Sequence, residues 1–148
     1  MGARRKGREL AVQALYQIDL RGDASEDALR LFWEHSDASA PAKAFAAALV
    51  AGVRERQERI DELITSACEH WRFERLAPVD LNVLRVATYE LLQSPPTPTA
   101  IVLDEAIEVA RRFGTADSPT FVNGVLDEIA ARLGLKEQPT DGGARDDG

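Results

Sequence analysis

The chain has 148 residues with 18 basic and 25 acidic side chains, a net charge of −7, and an isoelectric point near 4.9. A chain of this length buries enough surface to fold as one domain without metals or disulfides, and its one cysteine, Cys68, has no partner for an internal disulfide. The acidic total excludes wholesale coating of nucleic acid, and the absence of a leader-like segment or an apolar run near ~20 residues predicts a cytoplasmic protein without a membrane span.

The first predicted helix, residues 4–20, begins with a basic run. Arg4, Arg5, Lys6 and Arg8 lie within eight residues, and without them the remaining 14 basic and 25 acidic side chains give −11. Cations at a helix N-terminus oppose the helix dipole, so the run favours an anionic partner, most simply a phosphate backbone, over a merely solvated helix start. We expect the arginines to contact phosphates through planar forks and the lysine as a point charge.

One tyrosine lies off the apolar stripe of this helix. The stripe consists of Leu10, Ala11, Ala14, Leu15 and Ile18, at the spacing of an amphipathic helix. Tyr16 falls nearly opposite, on the side of Arg5. It is either an ordinary surface tyrosine or a ring available for base stacking or for docking against a protein. Gly22 is expected to end the helix.

Three further helices are predicted before residue 72. Residues 25–35 form a short helix with Ser25 as a possible N-cap. Pro41 suits the first turn of a third helix that continues to Val53. A fourth helix follows from about residue 60 and continues toward Trp71. The segment 72–78 then resembles a connector, so we expect subdomains of about 1–72 and 73–135 within a single domain of residues 1–135.

The segment Val79 to Leu92 is apolar nearly all round, which is typical of a helix at the centre of a bundle. Asp80 near its start favours the helix dipole, which is its simplest role. The proline-rich stretch 94–98 breaks the helix.

Two helices complete the predicted fold. The sixth spans about 99–113 and ends at Gly114. Ser118 and Pro119 suit the N-cap and first position of the seventh. The residues after this helix, 136–148, are polar and rich in Gly and Asp, so we expect a disordered tail.

Two side chains near the start of the seventh helix are candidate nucleic-acid contacts. Phe121 lies toward the edge of the apolar stripe, which suits either a residue at the margin of the core or a ring that stacks on an unpaired base. Asp117 suits helix capping, or an acceptor for a base edge.

Chemistry for catalysis is missing from the sequence. His35 and His70 are isolated from metal-ligand spacings, and no glycine-rich phosphate loop occurs. Asp104 and Glu108 are most simply solvated helix charges. No period-two strand pattern appears, so the sequence predicts an all-α protein of about seven helices in two small packed bundles, not an enzyme, and without a cofactor or metal.

Three blocks of the chain resemble the NusB family of bacterial transcription antitermination factors. Residues 4–16 resemble its opening helix, residues 79–91 its central helix, and residues 104–114 with Asp117-Ser118 and 121–127 its C-terminal signature. The blocks read RRKGRELAVQALY, VDLNVLRVATYEL, DEAIEVARRFG and, after Asp117-Ser118, FVNGVLD. They occur in the order and spacing of the family, and the resemblance covers about residues 4–134.

The resemblance implies a NusB-like helical fold that binds boxA RNA of ribosomal RNA leader transcripts. It implies NusE, a small-subunit ribosomal protein, as partner, and an RNA polymerase antitermination complex that supports transcription of ribosomal RNA operons. By position, the arginine-rich start, Asp117 and Phe121 would form the RNA face, and Tyr16 and Asp80 would face NusE. Some members of the family form homodimers, so a homodimer is possible here.

Other functions remain open at this stage. One is a helical protein-binding adaptor whose basic start is incidental. Another is an accessory module of the kind fused to RNA methyltransferases, without its own catalysis. A helix-turn-helix DNA-binding protein is disfavoured, because the basic residues lie on the first helix and not on a recognition helix after a tight turn.

Overall fold

A computed structural model of the chain describes residues 2–68, 73–93 and 97–135. The predictions for His70, the first half of the proline-rich stretch and the tail 136–148 fall wholly or partly outside these residues. The described residues form seven α-helices and one short 3-10 turn, with no strand, so the all-α prediction is confirmed. The helices are α1 (Ala3–Arg21), α2 (Glu26–His35), α3 (Ala40–Glu55), α4 (Gln57–Ala67), α5 (Pro78–Leu92), α6 (Thr99–Phe113) and α7 (Ser118–Arg132), with the 3-10 turn at Phe73–Arg75.

Local capping explains where α1 ends and where α2 begins. The hydroxyl of Ser25 accepts a hydrogen bond from the backbone N–H of Ala28 at 3.1 Å, which confirms its predicted role as N-cap of α2. Gly22 ends α1 with φ +70°, and its N–H donates to the carbonyl of Ile18 at 2.7 Å. This left-handed cap is the conformation that favours glycine.

The turn between α6 and α7 differs from the prediction at two residues. Asp117, not Ser118, is the N-cap of α7, although its side chain makes no capping hydrogen bond. Ser118 is the first helical residue, and its buried hydroxyl accepts from the N–H of Thr115 at 2.9 Å. Gly114 has extended backbone, not the left-handed conformation. It is needed for close approach, since a Cβ there would lie 2.7 Å from the Ser118 Cβ and 2.9 Å from the Ala110 carbonyl oxygen.

Helix α5 lies at the centre of the fold, as its all-round apolar pattern predicts. It packs against α1, α3, α4, α6 and α7, and one hydrophobic core includes residues from both predicted subdomains. The division into two subdomains therefore remains a prediction. Helix α5 contacts both the basic helix α1 and the C-terminal helices α6 and α7. It therefore fixes the positions of α1, α6 and α7 relative to one another.

A polar network on the inner side of α5 holds the C-terminal half of α1. The Arg85 guanidinium donates to both carboxylate oxygens of Asp61 on α4 at 2.9 and 3.0 Å. Its Nη1 donates to Asp19 on α1 at 3.0 Å and to the side-chain oxygen of Asn82 at 3.1 Å. Charge-assisted hydrogen bonds of this kind are directional, so they join three helices in a defined register.

Replacing Thr88 with valine is expected to leave the stability unchanged or to raise it by up to about 1 kcal/mol. Thr88 is 0% exposed, and its hydroxyl oxygen has no hydrogen-bond partner among the described residues. A buried, unpaired hydroxyl is destabilising, and valine replaces it with a methyl group of similar size. Urea denaturation measures the difference, and a loss above about 1 kcal/mol would show that the hydroxyl is bonded in the folded protein.

Helix α2 is the least buried of the seven helices. None of its residues is fully buried, and its ring pair Phe32 and Trp33 packs edge-to-face at 5.1 Å between centroids and covers the core only in part. Leu31 is 48% exposed. The exposed apolar positions of α2 border a groove along α1.

The described helices contain no segment long and apolar enough to cross a membrane.

Candidate nucleic-acid interface

The N-terminal turns of α1 bear the four basic side chains, but these differ in their surroundings. Arg4 is exposed and Lys6 is half-buried. The Arg4 guanidinium carbon lies 5.0 Å from the centre of the Phe45 ring on α3, within the range of a cation–π contact. The ring orients the guanidinium while its charge stays accessible, so Arg4 and Lys6 fit the predicted role of phosphate contacts.

Arg5 forms an ion pair with an acid on α6. Its Nε and Nη2 donate to the two carboxylate oxygens of Glu105 at 2.9 and 2.8 Å. These hydrogen bonds hold the pKa of Glu105 below its usual range, so the carboxylate is charged at neutral pH. The Arg5 side chain is 34% exposed. The Arg5 guanidinium is therefore already paired with a carboxylate of the protein itself.

Arg8 is placed differently from the prediction, which put it on the phosphate-binding surface. It is 5% exposed, and its Nε and Nη2 donate to the carboxylate of Glu90 on α5 at 2.7 and 2.8 Å. The planar fork expected to hold a phosphate holds a buried carboxylate instead. In this arrangement Arg8 anchors α1 to α5.

The start of α7 carries the other two predicted RNA contacts. Asp117 is exposed at the turn between α6 and α7, and Phe121 is half-buried, with its ring packed in part against the core. The structure joins this end of α6 to α1: Arg112 Nη1 lies 3.9 Å from Glu9 Oε2, and Phe113 borders the same groove as Lys6. The basic helix start and the α6–α7 turn thus belong to neighbouring parts of one surface.

The two residues assigned to a protein partner lie at or beside the groove between α1 and α2. The groove has a volume of about 1100 Å³, and Tyr16 and Val79 line it together with Phe32 and Lys6. Asp80 follows Val79 at the start of α5, and its Oδ1 is buried without a hydrogen-bond partner among the described residues. Asp80 therefore lies beside the groove, but its buried Oδ1 is not exposed to a docked protein.

Sequence reasoning missed the acids and rings that organise this surface. Glu90 and Glu105 are the partners of Arg8 and Arg5, and they lie 82 and 100 residues away along the chain. Phe45 packs on both Arg4 and Arg8. Arg112 lies over the Phe113 ring at 5.4 Å. Apart from the neighbours Arg112 and Phe113, these partners lie far apart along the chain, and no spacing in a single sequence marks such contacts.

The described residues contain no group of three or more His, Cys, Asp or Glu side chains placed to hold a metal ion. Burial raises the pKa of the Cys68 thiol, which disfavours the reactive thiolate. His35 is exposed, and its Nδ1 lies 2.8 Å from the carbonyl oxygen of Leu31. The surface thus offers charge, rings and a groove, which suit binding.

Known proteins are similar to this chain over almost its whole length. A model of the NusB family matches residues 5–131. The chain is 49% identical over 134 residues to transcription antitermination protein NusB of Geobacter sulfurreducens, covering 90% of this chain and 97% of that protein. It is 44% identical over 134 residues to the NusB of Sorangium cellulosum, covering 90% and 96%.

Solved structures show the same likeness. A structure of T. maritima NusB aligns with a TM-score of 0.76 at 43% identity, covering 86% of this chain and 90% of that one. A crystal structure of antitermination factors NusB and NusE in complex with dsRNA aligns with a TM-score of 0.77 at 25% identity, covering 89% and 98%.

Proposed function

Because the chain belongs to the NusB family, we propose that it is a cytoplasmic RNA-binding transcription antitermination factor without catalytic activity. It recognises boxA RNA of ribosomal RNA leader transcripts together with NusE and supports processive transcription of ribosomal RNA operons by the RNA polymerase antitermination complex. The observation that carries the proposal is the match to antitermination factors over nearly their full length.

Geometry supports a division of labour among the basic side chains. Arg4 and Lys6 supply the salt-dependent attraction for the RNA backbone, since both are accessible at the start of α1. Arg5 contributes less, because Glu105 offsets its charge. Arg8 contributes through the placement of α1, not through direct contact.

Base recognition is assigned to the start of α7. Unpaired RNA bases are commonly recognised by stacking on aromatic rings and by hydrogen bonds to their edges. Phe121 supplies a ring and Asp117 an exposed acceptor within about one helical turn of each other. The likeness to a NusB–NusE complex with dsRNA supports a surface of this kind on the same fold.

The partner surface is the groove between α1 and α2. Tyr16 lines it, and Asp80 follows Val79, another residue of its lining. NusE docked there would add contacts beyond the few exposed cations and raise RNA affinity. A homodimer that uses the same groove would compete with NusE.

The direct test is fluorescence titration of a boxA RNA oligonucleotide, with and without NusE, against a scrambled RNA of the same length at near-physiological salt. Sequence-selective binding that strengthens with NusE is the expected result. Equal affinity for both RNAs in both conditions would contradict the proposal and favour a protein-binding adaptor, for which the groove would be the functional surface.

Replacing Phe121 with leucine is expected to weaken boxA binding about 5-fold or more, since base stacking on an aromatic ring contributes roughly 1–3 kcal/mol per base. Leucine retains most of the apolar packing but has no aromatic face. Phe32→Leu on α2 is the matched control, because Phe32 lies in the groove assigned to NusE and its loss is expected to leave binding of RNA alone unchanged. An equal loss of affinity for boxA and scrambled RNA in Phe121→Leu would contradict a role of Phe121 in selecting boxA, because stacking by itself is tolerant of sequence.

A further inference from the structure

Glu105 stands out because its carboxylate faces two arginines of the basic run. Both its oxygens accept hydrogen bonds from Arg5, and its Oε1 also lies 3.8 Å from Nη1 of Arg8. Arg8 already has Glu90 as its own partner at 2.7 Å. The Glu105 side chain is 19% exposed, so water screens the pair with Arg5 only in part.

Ion pairing with two glutamates halves the effective positive charge of the basic run, Arg4, Arg5, Lys6 and Arg8. The pairs Arg5–Glu105 and Arg8–Glu90 are each neutral overall. Arg4 and Lys6 are then the members of the run that form no ion pair within the described part of the chain. A protein that neutralises phosphates of single-stranded RNA shows a salt slope of roughly −0.7 per contact. Four contacts would give about −3, whereas two give about −1.4.

We propose that Glu105 is a specificity-determining residue that acts as a counter-charge: it withholds Arg5 from non-specific binding to RNA phosphates. The inference rests on the proposed RNA-binding function and adds a role for an acid within the RNA surface. Backbone attraction is independent of sequence, whereas base contacts discriminate. When fewer cations are available to phosphates, a larger share of the RNA affinity comes from base contacts such as those assigned to Phe121 and Asp117. RNA without the boxA bases therefore binds more weakly.

From its position on α6, Glu105 neutralises Arg5, the one of its two neighbouring arginines that RNA can reach. Arg5 is 34% exposed, so its guanidinium lies at the surface where an RNA phosphate competes with the carboxylate. Arg8 is buried and structural. Removing the charge of Glu105 therefore frees one cation, Arg5, while the Arg8–Glu90 pair keeps α1 in place.

The test uses Glu105→Gln in the full chain, titrated with scrambled single-stranded RNA at several salt concentrations. We expect affinity for scrambled RNA to rise about 3- to 10-fold at low salt, and the salt slope to become steeper by roughly 0.7. Selectivity for boxA over scrambled RNA should fall. Glu34→Gln on α2 makes the same change in net charge beside another arginine, Arg30, and is expected to alter neither quantity.

A second variant ties the effect to Arg5. Arg5→Gln should lower affinity for scrambled RNA less than about 2-fold in the wild-type background, because its charge is already offset. In the Glu105→Gln background the same change should remove the whole gain. Circular dichroism and thermal unfolding of each variant establish that the helices are intact.

The outcomes separate this inference from the proposed function. If Glu105→Gln binds scrambled RNA no more tightly than the wild type, the counter-charge role is overturned. Weaker binding overturns it too, and would show that Glu105 positions Arg5 for the RNA. Failure of the wild type to prefer boxA counts against the proposed function instead, whatever the variant does with scrambled RNA.

Discussion

Replacing Arg8 with methionine is expected to lower the free energy of unfolding by about 3–5 kcal/mol, as for other buried ion pairs that lose one partner. The substitution removes both hydrogen bonds to Glu90. It leaves a carboxylate that is 6% exposed without its counter-ion, among the apolar side chains of α1, α5 and α6. Urea denaturation followed by circular dichroism measures the loss.

The double variant Arg8→Met with Glu90→Met is the informative control. Replacing both members of a buried ion pair with apolar side chains is often neutral or stabilising, so the double variant should recover most of the lost stability. If the double variant is as unstable as the single one, the cost comes from lost packing and not from an unpaired charge. If the single variant is as stable as the wild type, the buried ion pair is not present in solution.

This result bears on how the RNA surface is mapped. Alanine substitution of Arg4, Arg5 and Arg8 together would weaken RNA binding through unfolding as well as through lost charge. Arg4→Gln and Lys6→Gln remove charges of side chains that are not buried. Those two variants therefore measure the electrostatic contribution of the basic helix start without disturbing its anchor.

Replacing Gly52 with alanine is expected to destabilise the protein by about 2 kcal/mol, within the range for overpacked cores. Gly52 lies on α3 and is buried, and a Cβ built there would overlap Cζ, Cε1 and Oη of the Tyr89 ring on α5. The ring is rigid, so the added methyl group forces the Tyr89 side chain to move away from α3. Thermal or urea unfolding measures the change, and near-ultraviolet circular dichroism reports the new environment of the tyrosine.

Gly124 offers the matched control in another helix. It lies in α7, and a Cβ added to it would meet no atom within 4 Å. Gly124→Ala should stabilise the protein by about 0.5–1 kcal/mol, because alanine loses less backbone entropy in a helix. Opposite signs for the same substitution would show that Gly52 is required by close helix packing. A stabilised Gly52→Ala would contradict the contact with Tyr89.

Much of the fold was predictable because its signals are local. Apolar residues at helical spacing indicated all seven helices, although α4 begins three residues before the predicted start at residue 60. Ser25 begins α2 and Gly22 ends α1 through atoms a few residues away. The all-round apolar composition of α5 was enough to place it at the centre. At Asp117 and Ser118 the prediction missed by one residue, since the serine is held by Thr115 instead of capping the helix.

The candidate site was predictable only as a set of residues. The basic run, Tyr16, Asp117 and Phe121 could be chosen from type and position, because charge and ring chemistry belong to the side chain itself. Their RNA and partner contacts remain predictions. The sequence does not reveal that Arg5 and Arg8 are already paired, since their acids lie on helices far along the chain.

The sequence by itself determined the seven helices, the central α5 and the acidic chain with a basic start, because helix periodicity, capping and net charge depend on residues near one another. Only the tertiary structure decided which of the four basic side chains are accessible, why Gly52 is a glycine, and how the groove with Tyr16 is formed. Ion pairing and close packing depend on distances in space, and those distances exist only once α1, α5 and α6 have packed together.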